Sequence, residues 1–142
     1  MENSFPGKVL VIDDDKDILN IYSQILTGAG FKVEIAATGK EGYAKILQGG
    51  YDIVLLDLVM PGLDGIAILK SLKQKEKQSL ENRELDTFVY NGPIIILTQV
   101  DQPQLIEAAY ELGAKGYLIK ANLAAHDLPQ KISEILQGSK QS

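Results

Sequence analysis

The strongest constraint in this chain is a recurring unit: a short, unbroken apolar run that ends in a residue with a reactive side chain, followed by a stretch with helical spacing. Lys8-Val9-Leu10-Val11-Ile12 runs into Asp13, Asp14 and Asp15, and Ile53-Val54-Leu55-Leu56 runs into Asp57. Pro93-Ile94-Ile95-Ile96-Leu97 runs into Thr98, and Tyr117-Leu118-Ile119 runs into Lys120. Runs of this length without alternation belong to strands buried on both faces, which occur almost only in parallel sheets covered by helices. A weaker strand, with Phe31, Val33 and Ile35 alternating, completes a set of five.

The connecting stretches carry the helical period. Ile18, Tyr22, Ile25 and Ala29 form one apolar stripe, with Gly28 or Gly30 available to end it in a left-handed conformation. Thr38-Gly39-Lys40-Glu41 reads as a capping box that opens a second helix through Tyr43, Ile46 and Leu47, and Gly49-Gly50 stops it. After a Pro61-Gly62 turn, Asp64-Gly65 precedes a third helix on Ile66, Leu69 and Leu72. Asp101 is expected to cap a fourth, with Pro103 in its first turn and Leu105, Ile106, Ala109 and Leu112 as its apolar face, closed by Gly113. Asp127 to Leu136 makes the fifth through Leu128, Ile132 and Ile135, leaving a short polar tail from Gly138. Strict alternation of strands and helices predicts an α/β fold, a doubly wound parallel sheet with helices on both faces.

One segment breaks the rhythm. Lys73 to Asp86 sets Lys73, Lys75, Lys77 and Arg83 against Glu76, Glu81, Glu84 and Asp86, so its net charge is zero. Mixed charge of this kind marks a wet surface, and the segment reads as a lengthened third helix plus a solvated loop.

Composition narrows the chemistry. With 142 residues, 45% hydrophobic and 23% charged, the chain has the size and apolar content for one domain with a real core. It has no cysteine, which removes disulfides and thiol chemistry, and its one histidine, His126, precedes the last helix and reads as exposed. A net charge of -5 argues against non-specific attraction to nucleic acid or anionic membrane. No apolar run approaches the roughly 20 residues that span a bilayer, and the chain is expected to be cytoplasmic. Carboxylates, amines and hydroxyls are left to do any chemistry.

In an open parallel sheet the carboxyl ends of the strands share one rim, where ligands bind at the point at which strand order reverses. Asp13, Asp14, Asp57, Thr98 and Lys120 are therefore expected to converge. Three carboxylates there repel one another unless a cation holds them ionised, and a hard divalent ion such as Mg²⁺ suits oxygen donors. Lys120 adds a positive charge and Thr98 a hydroxyl, both suited to phosphoryl oxygens, while Asp57 is placed to act as a carboxylate nucleophile that forms an acyl phosphate. Asp15 and Asp64 read as caps or turn formers.

These residues resemble those of the receiver domain of bacterial two-component response regulators, of the single-domain, chemotaxis-regulator-like kind, from Lys8 to about Gln137. The resemblance rests on four ordered motifs: Val9 to Asp15, Tyr51 to Gly65, Pro93 to Thr98 and Gly113 to Lys120. It implies a flavodoxin-like five-stranded sheet of order 2-1-3-4-5. It implies that Asp57 accepts a phosphoryl group from a phosphohistidine on a sensor histidine kinase or histidine phosphotransfer protein. It further implies that Asp13, Asp14, Asp57 and the backbone carbonyl of Val59 hold Mg²⁺, and that Lys120 and Thr98 contact the phosphate. Thr98 and Tyr117 would then act as the switch that remodels a surface for a downstream protein partner. On the same grounds the chain is no enzyme beyond catalysing its own phosphorylation and dephosphorylation, and it takes no small-molecule substrate except phosphodonors. Residues 1–142 are expected to form one receiver domain with a core of about 8–137 and an insertion of about 73–91, acting through its own surface.

Three departures stand out. Ala121 follows Lys120 where the family commonly has proline, Gln99 stands where a small residue is common, and Val59 puts an apolar side chain beside Asp57. Two alternatives share parts of the pattern. A haloacid-dehalogenase-type phosphatase also uses a strand-end Asp, Thr, Lys and Mg²⁺, but wants a second acid where this chain has Val59. A receiver-like module could also bind partners without being phosphorylated.

Overall fold

The structure, a computed structural model, describes residues 7–82, 91–99 and 101–141. Arg83, Glu84 and Asp86 of the mixed-charge segment lie outside the described residues. The elements alternate as β1 (Lys8–Ile12), α1 (Lys16–Gly28), β2 (Lys32–Ala36), α2 (Gly39–Gln48), β3 (Ile53–Asp57), α3 (Gly65–Asn82), β4 (Ile94–Thr98), α4 (Pro103–Glu111), β5 (Gly116–Ile119) and α5 (Leu128–Gln141). The strands form one sheet in the order β2-β1-β3-β4-β5, and every neighbouring pair is parallel. This is the flavodoxin-like arrangement, with the order reversing between β1 and β3.

Alternation along each strand explains why the apolar runs are unbroken. Leu10, Ile12, Val54, Leu56 and Ile96 face one layer with Ile46, Ile68, Leu69 and Ala109 from α2, α3 and α4. Their neighbours Val9, Val11, Ile53, Leu55, Ile95 and Leu97 face the other with Leu19, Tyr22 and Leu26 of α1 and Leu128 and Ile132 of α5. Both sides of a central strand are core, so both sets of positions must be apolar. At the edge the rule relaxes. Of the expected alternating set, Phe31 is buried just before β2 and Val33 packs half-buried against the same core layer, while Ile35 is exposed; within the strand only Ala36 is fully buried.

The helix ends test the capping chemistry one by one. Asp15 caps α1, accepting from the amides of Asp17 and Ile18. Thr38 Oγ1 accepts from the Glu41 amide, but the Glu41 carboxylate reaches back to Ala37 rather than to Thr38. Asp64 accepts from the Ala67 amide at the start of α3. Asp101, in contrast, does not cap α4: Gln102 is the capping residue and no side chain serves there. Pro103 opens that helix, and its nitrogen has no hydrogen to satisfy.

Three further expectations shift. The buried stripe of α1 is Leu19, Tyr22 and Leu26, with Ile18 and Ile25 half-buried and Ala29 exposed at the cap; Gly30, at φ 100°, makes the left-handed turn. Helix α5 continues through Gly138 to Gln141 instead of ending at Leu136. Two 3-10 turns, Lys120–Asn122 and Ala125–Asp127, intervene between β5 and α5, and the Lys120–Ala121 peptide is trans. The first part of the mixed-charge segment is helical, since α3 runs to Asn82.

Candidate functional site

Parallel strands deliver Asp13, Asp57, Thr98 and Lys120 to one rim because each follows or ends its strand on the same side of the sheet. The central strands β1 and β3 place Asp13 and Asp57 beside each other, and both are buried, at 0% and 6% exposure. Asp14 stays exposed on the loop, yet one carboxylate oxygen from each of Asp13, Asp14 and Asp57 lies within 4.8 Å of the others. Lys120 reaches over from beyond β5, with its Nζ 2.5 Å from Asp13 Oδ2 and 3.5 Å from Asp57 Oδ2. Register pairs Asp57 with Leu97, so buried Thr98 stands one residue further along the adjacent strand.

The loop after β3 is built to orient Asp57. The Val59 amide donates to Asp57 Oδ1 at 3.1 Å, while Leu58 and Met60 are buried and Val59 points out at 62% exposure. The Gly65 amide closes the loop onto the Leu58 carbonyl at 3.1 Å. A Cβ on Gly65 would stand 2.6 Å from the Asp57 carbonyl oxygen and 2.8 Å from Leu58 Cα, so only glycine lets α3 start this close to the strand end. On the other side, Asp13 Oδ1 accepts from the Asp15 amide at 2.9 Å.

Electrostatically the rim is under-satisfied. Burial, and then the Asp13 carboxylate, push the Asp57 carboxyl up to about 6 against the pull of Lys120 and the Val59 amide. Burial alone would lower the Lys120 ammonium, but its hydrogen bond and attraction to Asp13, and then Asp57, hold it above its ordinary value. Asp13 Oδ2, shut off from solvent, is met by that ammonium. Three clustered carboxylates, two of them buried, form a hard-oxygen donor set that fits a divalent cation of the Mg²⁺ type.

The structure therefore brings Asp13, Asp14, Asp57 and Lys120 together, with Thr98 adjacent. Tyr117 stands apart, 42% exposed on β5. The sequence reading missed two contributors. Gly65 was visible only as a turn residue, and Tyr22 only as part of an apolar stripe. Tyr22 is buried on α1, and its hydroxyl is raised by burial while feeling the charges of Lys120 and Asp13.

A 2-1-3-4-5 parallel sheet with an acidic pocket and a lysine at its switch point defines a flavodoxin-like domain fitted for a divalent cation. The chain matches the family model of the response regulator receiver domain over residues 9–133 and belongs to that family: it is a receiver domain of two-component response regulators. It is 30% identical over 138 residues to the chemotaxis protein CheY of Treponema pallidum (strain Nichols), covering 95% of this chain and 86% of that protein. It is also 30% identical over 120 residues to the transcriptional regulatory protein ResD of Bacillus subtilis (strain 168), where it spans 44% of the relative's length. Among solved structures, a CheY-like response regulator receiver domain protein from Methanospirillum hungatei JF-1 superposes with a TM-score of 0.76 at 29% identity, covering 97% of this chain and 98% of that one. Among the described residues no helix is long and apolar enough to cross a membrane.

Proposed function

We propose that Asp57 accepts a phosphoryl group from a phosphohistidine on a sensor histidine kinase or histidine phosphotransfer protein. One observation carries the reading: Asp57 is a desolvated carboxylate whose two oxygens are separately oriented, Oδ1 by the Val59 amide and Oδ2 toward Lys120. In the transfer a carboxylate oxygen attacks phosphorus, the bond from phosphorus to the donor imidazole nitrogen breaks, and that nitrogen keeps the electron pair and takes a proton from solvent. Dephosphorylation returns inorganic phosphate by attack of water on the same phosphorus. The domain thus catalyses only its own phosphorylation and dephosphorylation.

Asp13, Asp14, Asp57 and the Val59 backbone carbonyl are the residues that would hold Mg²⁺, which when bound neutralises the carboxylates and the phosphoryl oxygens. Lys120, whose Nζ already stands 3.5 Å from Asp57 Oδ2, would pair with a phosphoryl oxygen on Asp57. The Thr98 hydroxyl donates to another, and Tyr117 follows Thr98 inward. Contacts available only in the phosphorylated state shift the population toward it, by no more than their differential free energy. We read residues 1–142 as one cytoplasmic domain with a core of about 8–137, which signals to a downstream protein rather than to nucleic acid or membrane.

Incubation with acetyl phosphate and Mg²⁺ is expected to add one phosphoryl group by intact mass, and Asp57→Ala to abolish the addition. Absence of labelling would favour a phosphorylation-independent module, and steady turnover of small phosphate esters a phosphatase. Asp14→Ala is expected to abolish Mg²⁺ binding by titration; unchanged affinity would refute the metal assignment.

A further inference from the structure

Tyr117 stands outward in this structure, and a residue on the neighbouring helix explains what keeps it there. Its ring meets that of Tyr110 edge to face, with centroids 6.3 Å apart and planes at 87°. Both rings are exposed, at 45% for Tyr110 and 42% for Tyr117, so core packing fixes neither of them. The edge-to-face geometry is the one that aligns the positive edge of one aromatic ring with the negative face of another. It is the only aromatic pair among the described residues.

The topology shows what the contact opposes. Leu118 packs into the layer with α1 and α5, so Tyr117 occupies the opposite face of β5, the side that carries α4. Tyr117 pairs in register with Ile96, and Thr98 lies two residues further on β4, on that same face. On α4, Ile106 and Ala109 are buried, and Tyr110, the next residue round the helix, turns away from them toward solvent. A Tyr117 ring that moves inward toward Thr98 leaves this peripheral partner behind.

We infer that Tyr110 is a positioning residue acting through Tyr117: its ring latches Tyr117 outward and so sets the population gap that phosphorylation at Asp57 has to overcome. The inference rests on the roles given above to Asp57, Thr98 and Tyr117. A contact present in only one of two states biases the equilibrium by its own free energy. For an aromatic pair of this kind the bias is roughly two- to tenfold.

The test uses the full chain, its Tyr110→Ala and Tyr110→Phe variants, and two readouts. The first is the inward population of the Tyr117 ring, followed by NMR contacts between ring-labelled tyrosine and the Thr98 methyl, with neither metal nor phosphate added. The second is the apparent affinity for beryllofluoride in the presence of Mg²⁺. Tyr110→Ala is expected to raise the inward population roughly two- to tenfold and to tighten beryllofluoride binding by the same factor. Tyr110→Phe, which keeps the ring, is expected to match the wild type in both. An unchanged Tyr117 population in Tyr110→Ala, or a Phe variant that behaves like Ala, overturns the latch. Failure of the wild type to bind beryllofluoride overturns the acceptor reading instead, while a shifted ring population in Tyr110→Ala still supports the latch.

Discussion

Two clusters of acids and lysines sit toward opposite ends of this sheet and follow opposite electrostatic rules. Near the amino ends of the strands, Glu34 pairs with Lys8 at 3.0 Å and accepts from Lys45 Nζ at 3.1 Å and the Tyr51 hydroxyl at 2.9 Å. The Lys8 ammonium also stands 5.0 Å from the centre of the Tyr51 ring. Hydrogen bonds from Lys8, Tyr51 and Lys45 hold the Glu34 carboxyl down at about 2. At the carboxyl rim a single lysine faces two buried carboxylates, and Asp57 is left pushed up to about 6. The first cluster is complete within the protein. The second keeps a buried carboxylate raised by burial and by its like-charged neighbour, and that is the difference between charge saturated by its partners and charge left at tension.

Removing Lys120 breaks the comparison most severely. Lys120→Met leaves two buried carboxylates facing each other without their cation, and is expected to cost on the order of 3 kcal/mol in metal-free urea unfolding. Mg²⁺ should restore part of that loss, and phosphoryl labelling should disappear. Unchanged stability would mean that Lys120 does not hold the rim together. Asp57→Asn is expected to act with the opposite sign, stabilising the metal-free fold by on the order of 1–3 kcal/mol, because it removes the charge that burial and Asp13 both disfavour. A loss of stability in that variant would show Asp57 to be as well satisfied as Glu34.

Which parts of this arrangement were legible in the sequence follows from how local their causes are. The strands β1, β3 and β4 announce themselves because burial on two faces demands consecutive apolar residues, and the reactive side chains were legible because each directly follows such a run. Asp15 and Asp64 act within one turn of themselves, so their capping roles were legible too. Asp101 was misread because Pro103 and the backbone path, rather than a side chain, open α4. The exposure of Ile35 depends on β2 lying at the edge of the sheet, and the need for Gly65 depends on where α3 meets the Asp57 loop. Those are facts of tertiary placement that no local spacing encodes, and the Tyr110–Tyr117 contact belongs with them.

Gly65 offers a smaller test of the rim, through backbone placement rather than charge. Gly65→Ala forces a methyl against the Asp57 carbonyl and Leu58 Cα, and is expected to cost roughly 1–2 kcal/mol while slowing acetyl phosphate labelling. Gly28→Ala in α1 is the control, since nothing lies within 4 Å of the added carbon. It is expected to leave labelling unchanged and to stabilise by roughly 0.5 kcal/mol, by reducing the freedom of the unfolded chain. Equal labelling rates in the two variants would show that the loop tolerates displacement of Asp57.

The smallest effect is expected at the satisfied cluster. The folded Glu34 carboxyl lies at about 2, below its ordinary 4.5, so its contribution is fully present above pH 4.5 and is lost as pH falls toward 2. The side chain is 36% exposed, and water screens its pairs, so Glu34→Gln should cost about 1 kcal/mol or less at pH 7. Urea unfolding across pH should show the gap between wild type and variant constant above pH 5 and closing on the acid side, with Asp57 labelling at pH 7 unaffected. A gap that widened toward acid would give Glu34 the sign of Asp57, and the two ends of the sheet would then no longer differ in kind. Because Glu34 bonds to α2 and to the segment entering β3, a change in labelling would instead show that the amino-end cluster helps to set the strand on which Asp57 is carried.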